Sequence, residues 1–227
     1  MKTCFHQDLR VTYNPPQRLC WLNWETKSNV LARVLVYQNG FDMIELEENS
    51  VLVVIDVQKA WLDPSLGKRN NPDAERIISG LISKFRERQK KIIHVRHDSL
   101  DPNSIFKEGK STFEFMDEVS PAPGELVITK HVNSAFIGTN LENILRKLAD
   151  PLVLYVGLVT DHCVSTTVRM SGNLGFRSYV IGDACATFDR RDSTGQLIPA
   201  TEVHKVNLAS IDGEFARVIN SRDLIFR

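Results

Sequence analysis

An α/β fold built on a parallel sheet is what this sequence predicts, and three observations carry it. Apolar runs of strand length recur between residues 51 and 219. They are continuous rather than alternating, the pattern of strands covered on both faces. Stretches of helical periodicity separate them, so successive strands are joined by crossovers, which are right-handed in parallel sheets.

The elements follow in order. Val51-Leu52-Val53-Val54-Ile55 is the first strand and ends at Asp56. A helix is predicted from about Pro72 to Gln89, with Ile77, Ile78, Leu81, Ile82 and Phe85 on one face. Lys91 to His97 is a second strand and Leu126 to Thr129 a third. Thr139 is positioned to cap a helix that runs towards Asp150. Leu152 to Val156 is the fourth strand, leading into Gly157, and a helix from Val164 to Leu174 stops at Gly175. Ser178 to Ile181 is a fifth strand, Ala200 to Ile211 a helix, and Ala216 to Ile219 the last strand. Residues 1–49 read differently. They hold Pro15-Pro16, Trp21 and Trp24, then Val30 to Tyr37, the hairpin dipeptide Asn39-Gly40 and a return strand at Met43 to Leu46. They are predicted as an N-terminal extension, packed on the core or on a neighbouring subunit, ahead of one domain over 50–227.

Composition narrows the function. With 42% hydrophobic residues in 227, the chain can bury a substantial core. Its 28 basic and 28 acidic side chains cancel, so no global field favours nucleic acid or an anionic membrane. No segment has the apolar length of a membrane span. The first residues lack the hydrophobic core of a signal peptide, and cysteines 4, 20, 163 and 185 have neither metal-clip nor disulfide-framework spacing. The expectation is a cytoplasmic protein with a small-molecule substrate; export by a route that needs no signal peptide stays open.

Three reactive side chains fall at the carboxyl ends of strands, the edge where open parallel sheets bind ligands: Asp56, Lys130 and Cys163. Cys163 lies in Gly157-Leu158-Val159-Thr160-Asp161-His162-Cys163-Val164, where a strand gives way to a helix. There a thiol meets the positive end of the helix dipole and free N–H groups, conditions that lower its pKa towards neutrality and can stabilise an oxyanion. Asp56 can accept the thiol proton and return it to a leaving amine, and Lys130 can lower the thiol pKa by its charge. The plainer readings are a buried structural cysteine, an aspartate that only caps a turn, and a solvated edge lysine. His162 invites a Cys–His dyad, but adjacent residues at a helix start point apart, so it is expected to pack or bond elsewhere.

Ile55-Asp56-Val57-Gln58-Lys59-Ala60-Trp61, Thr129-Lys130-His131-Val132-Asn133-Ser134-Ala135-Phe136-Ile137-Gly138-Thr139 and Gly157 to Val168 together resemble the isochorismatase-like cysteine hydrolases. The likeness continues through Asn173 to Phe176, Asp183 to Phe188, and Val203-His204 to Phe215. The resemblance implies a three-layer α/β/α sandwich around a six-stranded parallel sheet in the order 3-2-1-4-5-6. It also implies Asp56 as general acid/base, Lys130 as charged bridge, Cys163 as nucleophile, and a cis Leu158–Val159 peptide that turns the Val159 N–H, with that of Cys163, into an oxyanion hole. Trp61, His97 and Phe136 are implied as pocket walls, Phe113 and Phe115 as lid candidates, and a homo-oligomer, dimer or tetramer, as the assembly. The Asp-X-His-X5-His metal cluster of the nicotinamidase branch is absent: the stretch reads His97-Asp98-Ser99-Leu100-Asp101-Pro102-Asn103-Ser104, so neither metal nor other cofactor is expected, though His97 and Asp98 could grip a polar substrate group. Retention of Cys163 favours acyl transfer from a small amide through a thioester. The rivals are isochorismate cleavage to pyruvate and 2,3-dihydroxy-2,3-dihydrobenzoate, which needs only the aspartate, and a catalytically idle binding or scaffold relative.

Overall fold

A computed structural model describes residues 34–36 and 42–226, and within them the apolar runs assemble into one parallel sheet. Its strands are β1 (Val51–Ile55), β2 (Lys91–His97), β3 (Leu126–Lys130), β4 (Leu152–Leu158), β5 (Arg177–Ala186) and β6 (Arg217–Ile219). Their spatial order, β6-β5-β4-β1-β2-β3, is the expected 3-2-1-4-5-6 read from the other edge, and every neighbouring pair is parallel. The helices are α1 (Ala74–Glu87), α2 (Leu141–Arg146), α3 (Ser165–Asn173) and α4 (Ala200–Ile211).

Burial explains why the strands are continuously apolar. Leu52 and Val54 of β1 join Ile78, Leu81, Ile82 and Phe85 of α1 in one apolar cluster. Val51, Val53 and Ile55, pointing the other way, join Leu141 and Leu145 of α2, Val168 of α3 and Ile211 of α4 in a second. Each such side chain contributes about 1.5–3 kcal/mol on burial, so both faces of the sheet must be covered. Among the described residues, no helix is long and apolar enough to cross a membrane.

Several boundaries differ from the sequence reading. α2 stops at Arg146 rather than near Asp150, because the chain takes left-handed φ values of 50° at Ala149 and 59° at Asp150. Thr139 does serve the start of α2, but from one residue ahead of the cap: its hydroxyl accepts the Leu141 N–H at 3.2 Å and donates to the Ala135 carbonyl at 2.5 Å. β5 runs on to Ala186, where Cys185 and Ala186 pair with Gly157 and Leu158; Gly182 and Asp183 hide this continuation from an apolar pattern. Between β2 and β3, residues 98–125 form a long connection with short 3-10 turns at Ser111–Phe113 and Asp117–Val119.

Val34–Val36 pairs antiparallel with Asp42–Glu45, which pairs parallel with Leu224–Ile225 near the chain's end. Residues 1–33 and 37–41, the second stretch including the hairpin dipeptide Asn39-Gly40, lie outside the described residues. Ile44 and Leu46 are buried in the α1-side cluster, and the Glu47 carboxylate accepts two hydrogen bonds from Arg177 at 2.7 and 2.6 Å. The stretch just ahead of residue 50 is thus bound to the sheet by both apolar and ionic contacts.

Three features hold the strand ends in place. At Gly157 a Cβ would lie 2.0 Å from the Ile55 carbonyl oxygen, and φ is 131°, so only glycine lets β4 approach β1 so closely. The buried Tyr155 hydroxyl donates to Ser171 Oγ at 2.7 Å, and Ser171 Oγ lies 2.8 Å from Ser178 Oγ, tying α3 to β4 and β5. Glu125, just before β3, accepts from Arg86 of α1 at 2.7 Å and lies 2.8 Å from His94 of β2. The Arg86 hydrogen bond first, then the Ala122 N–H and His94, outweigh partial burial and draw the Glu125 carboxyl down to about 2.

Two outcomes follow. Gly157→Ala is expected to cost about 3–5 kcal/mol of stability, read as a fall in the denaturant midpoint, because backbone rather than a movable side chain meets the new methyl. For Glu125 the folded-state pKa is depressed, so its stabilisation is complete above its ordinary 4.5 and fades as pH falls towards about 2. Glu125→Gln should cost about 1–2 kcal/mol near neutrality, and the gap between the two proteins should close across that acid window in pH-dependent denaturation.

Candidate active site

Asp56 leaves the end of β1 in a left-handed conformation, φ 51°, which costs a non-glycine residue about 1–2 kcal/mol. Hydrogen bonds on both backbone groups hold it there. Its N–H donates to the Val95 carbonyl at 2.8 Å, and its carbonyl accepts from the Gln58 N–H at 2.9 Å and the Trp61 indole at 2.6 Å. Lys130 ends β3 and pairs in register with His97, the last residue of β2. Cys163 follows β4 by way of a cis Leu158–Val159 peptide and a π-helical turn, Thr160–Val164. The Val159 carbonyl accepts N–H groups from His162 and Val164, one on each side of Cys163, both at 3.2 Å. Cys163 therefore sits at the expected junction between strand and helix, but in a widened turn ahead of α3, a feature the local sequence pattern does not show.

The Lys130 ammonium joins these strand ends. Its Nζ lies 2.6 Å from Asp56 Oδ2, 3.3 Å from Cys163 Sγ and 3.1 Å from His97 Nδ1. Three N–H donors thus face three acceptors. The side chains of Asp56 and Lys130 are both fully buried. Burial alone would pull the Lys130 pKa down, but the Asp56 charge first, with the Cys163 sulfur beside it, raises it instead, so the amine stays charged.

The thiol departs from expectation. Burial first, and then the Asp56 charge, push its pKa well above the ordinary value, and the opposing pull of Lys130 does not compensate. At rest the sulfur keeps its proton. The set is neutral overall: one carboxylate, one ammonium, one thiol. Passing that proton to the carboxylate would give a thiolate and leave the total charge unchanged. Ligand atoms of Asp56, His97 and Cys163 lie within 4.8 Å of one another, a spacing compatible with a metal. The Lys130 ammonium already stands at hydrogen-bonding distance from all three and supplies the positive charge such a set would seek.

Beside these groups is a cavity of about 160 Å³ lined by Asp56, Trp61, His97, Phe106, Asn133, His162 and Cys163. Trp61 packs edge-on against Phe106 at 4.6 Å and stacks on Phe188 at 5.8 Å. Other anticipated wall residues lie elsewhere. Phe136 is buried and stacked on Phe176, outside the cavity lining. Phe113 and Phe115 are buried against Arg96 and His94 rather than forming a lid. Asp98 is occupied by Lys107 at 2.9 Å and the Glu108 N–H at 2.9 Å, fastening the loop that carries Phe106. His162 borders the cavity with its Nε2 3.4 Å from Asp161, while the sulfur's hydrogen-bond partners are Lys130 and Asn133 Oδ1, the latter at 3.8 Å. Phe106 and Asn133 were missed. Asn133 had a signal, three residues after Lys130; Phe106 had only its aromatic character in a polar loop.

The family model for the isochorismatase domain matches residues 50–223. The chain is 43% identical over 180 residues to an isochorismatase family protein, YrdC, of Bacillus subtilis, covering 79% of this chain and 96% of that one. It is 36% identical to the secreted isochorismatase effector Isc1 of Verticillium dahliae, covering 78% and 90%. An isochorismatase-family crystal structure from Chromobacterium violaceum superposes with a TM-score of 0.76 at 46% identity, covering 78% and 92%. More distant relatives include streptothricin hydrolase of Streptomyces noursei, at 28% identity over 61% of this chain and 50% of that one, and N-carbamoylsarcosine amidase of Thermoplasma acidophilum, at 26% identity and a TM-score of 0.59 over 76% and 96%. With a family model over most of its length and relatives this similar, the chain belongs to the isochorismatase family of hydrolases.

Proposed function

We propose that this protein hydrolyses the C–N bond of a small amide through a thioester on Cys163. The observation that carries the reading is the Lys130 ammonium shared between Asp56 at 2.6 Å and the Cys163 sulfur at 3.3 Å, beside an aromatic-walled cavity. In the proposed cycle the thiol proton passes to Asp56 and the sulfur bonds to the substrate carbonyl carbon. The backbone N–H groups of Val159 and Cys163 take the developing oxyanion. Asp56 then protonates the departing nitrogen and the C–N bond breaks. Water attacks the thioester as Asp56 takes one of its protons; the C–S bond breaks, the acid leaves, and Asp56 returns that proton to the sulfur. Lys130 keeps its charge throughout, which lets the anionic charge move between oxygen and sulfur without an uncompensated buried ion.

Cavity size supports a small substrate. A cavity near 150 Å³ accommodates benzene, and about 160 Å³ is the volume here. N-carbamoylsarcosine amidase, a relative named for amide hydrolysis, is consistent with C–N chemistry. Isochorismate is a bulkier molecule, and its cleavage gives the sulfur no role.

Intact-mass analysis against a panel of small amides and ureas should trap an acyl adduct that maps to Cys163. Cys163→Ala and Asp56→Asn should each lower kcat/KM for the reactive amide about a thousandfold or more. Full amidase activity in Cys163→Ala would eliminate the covalent route, and isochorismate turnover surviving in that variant would favour the ether-cleaving alternative. Removing the ammonium should also show in stability: Lys130→Met should lose about 3–5 kcal/mol by stranding a buried carboxylate. Adding Asp56→Asn to that variant should recover part of the loss in the same denaturation assay.

A further inference from the structure

We propose that His97 is a substrate-recognition residue: it offers a fixed Nε2–H to the cavity and selects small amides that carry a second carbonyl or carboxylate oxygen close to the scissile carbonyl. This rests on the amide-hydrolase reading of the same site and specifies its substrate class.

The imidazole is held in two ways. The Gln58 side chain clamps the backbone of His97, accepting its N–H at 2.8 Å and donating to its carbonyl at 3.1 Å. Gln58 itself is buried and donates also to the Phe113 carbonyl at 2.8 Å. The ring is held by Lys130 at 3.1 Å from Nδ1. Lys130 is an obligate donor whose other N–H groups face Asp56 and Cys163, so Nδ1 must present its lone pair. The single ring proton of a neutral imidazole then resides on Nε2. A doubly protonated ring would set a cation against the ammonium. Burial, followed by the Lys130 charge, accordingly draws the His97 pKa down, despite the opposing carboxylates of Asp56 and Asp98.

Among the described residues the ring's hydrogen bond is the one to Lys130. Phe106 meets the imidazole edge-on at 6.0 Å and offers no acceptor, so the donor is left for whatever fills the cavity. Cys163 borders the same cavity. A ligand there with one carbonyl at the sulfur can direct a neighbouring oxygen to His97, and Trp61 and Phe106 provide flat walls for a planar group. A buried-side donor left without an acceptor disfavours ligands that lack the second oxygen, the asymmetry that makes hydrogen-bonding sites selective.

The test uses oxamate, a planar amide with a neighbouring carboxylate, against propionamide, which lacks the second acceptor. Binding is measured by calorimetry on Cys163→Ala protein, which makes no thioester, so the result does not depend on turnover. Nitrogen-15 spectra of the histidine rings at neutral pH should report His97 as the neutral Nε2–H tautomer, with its Nε2 signal shifted by oxamate. Oxamate should bind about ten- to a hundredfold more tightly than propionamide. His97→Asn, which keeps an oxygen for Lys130 but loses the donor, should bring that ratio close to unity. An Nδ1–H or charged His97, no measurable oxamate binding, or an oxamate preference that persists in His97→Asn would each overturn the proposal; the tautomer is read on the unmutated ring, so a misfolded variant does not shield it. Failure of the amidase reading appears separately, as absence of an acyl adduct on Cys163 in the unmodified enzyme while the oxamate preference stands; an adduct without that preference overturns the role of His97 alone.

Discussion

A buried ammonium is the constraint on which the site depends. Lys130 is fully enclosed, yet it stays charged because a carboxylate and a sulfur face it at 2.6 and 3.3 Å. Moving such an ion out of water carries an effective penalty of several kcal/mol, which mutual attraction offsets only when the geometry is good and every donor has a partner. That condition reaches back into the sheet. Asp56, Lys130 and Cys163 come from the ends of β1 and β3 and the turn after β4, and their separations are fixed by strand register and by the absence of a side chain at Gly157.

The same ammonium sets the resting chemistry. Burial and the neighbouring carboxylate keep the thiol protonated, so the cysteine is not a free thiolate waiting at a helix end. In the proposed cycle, proton transfer to Asp56 moves negative charge from oxygen to sulfur while the ammonium flanks both, 2.6 Å from the oxygen and 3.3 Å from the sulfur. The proposed cycle thus produces the nucleophile and the acid together, by one proton passing between groups whose ligand atoms lie within 4.8 Å of each other, and solvent need not supply either. This resting state also protects the sulfur, since thiol oxidation proceeds through the thiolate.

Much of this was legible in the residues because it is encoded by short-range rules. Continuous apolar runs of strand length such as Val51–Ile55, rich in β-branched residues, fit strands covered on both faces, and a polar residue at the end of a strand, Asp56 or Lys130, stands at the edge where parallel sheets bind ligands. The sequence reading failed where tertiary contacts decide. The widened turn at Thr160–Val164 depends on one carbonyl bridging His162 and Val164, and no local pattern announces it. The pocket walls were hardest: Phe136, Phe113 and Phe115 are aromatic for packing, whereas Phe106 reaches the cavity because Asp98 ties down its loop from the far side. An aromatic residue carries no mark of which fate it will have.

Chemistry and selectivity are therefore carried by different parts of the molecule. The charged set stands on strand ends, where a small displacement would break the compensation of a buried ion, so those positions tolerate little change. The cavity walls come largely from the segments after Asp56, His97 and Lys130, and the long connection over residues 98–125 contributes Phe106 without a helix to constrain it. Such a loop can change length and sequence while the sheet stays intact. His97 sits where the two regimes meet: its backbone belongs to β2 and its Nδ1 to the ammonium, while the residue also lines the cavity. On the proposed role of His97, a change of substrate that alters the loops alone must still satisfy its Nε2, so the strand-borne machinery limits which ligands the variable walls can admit.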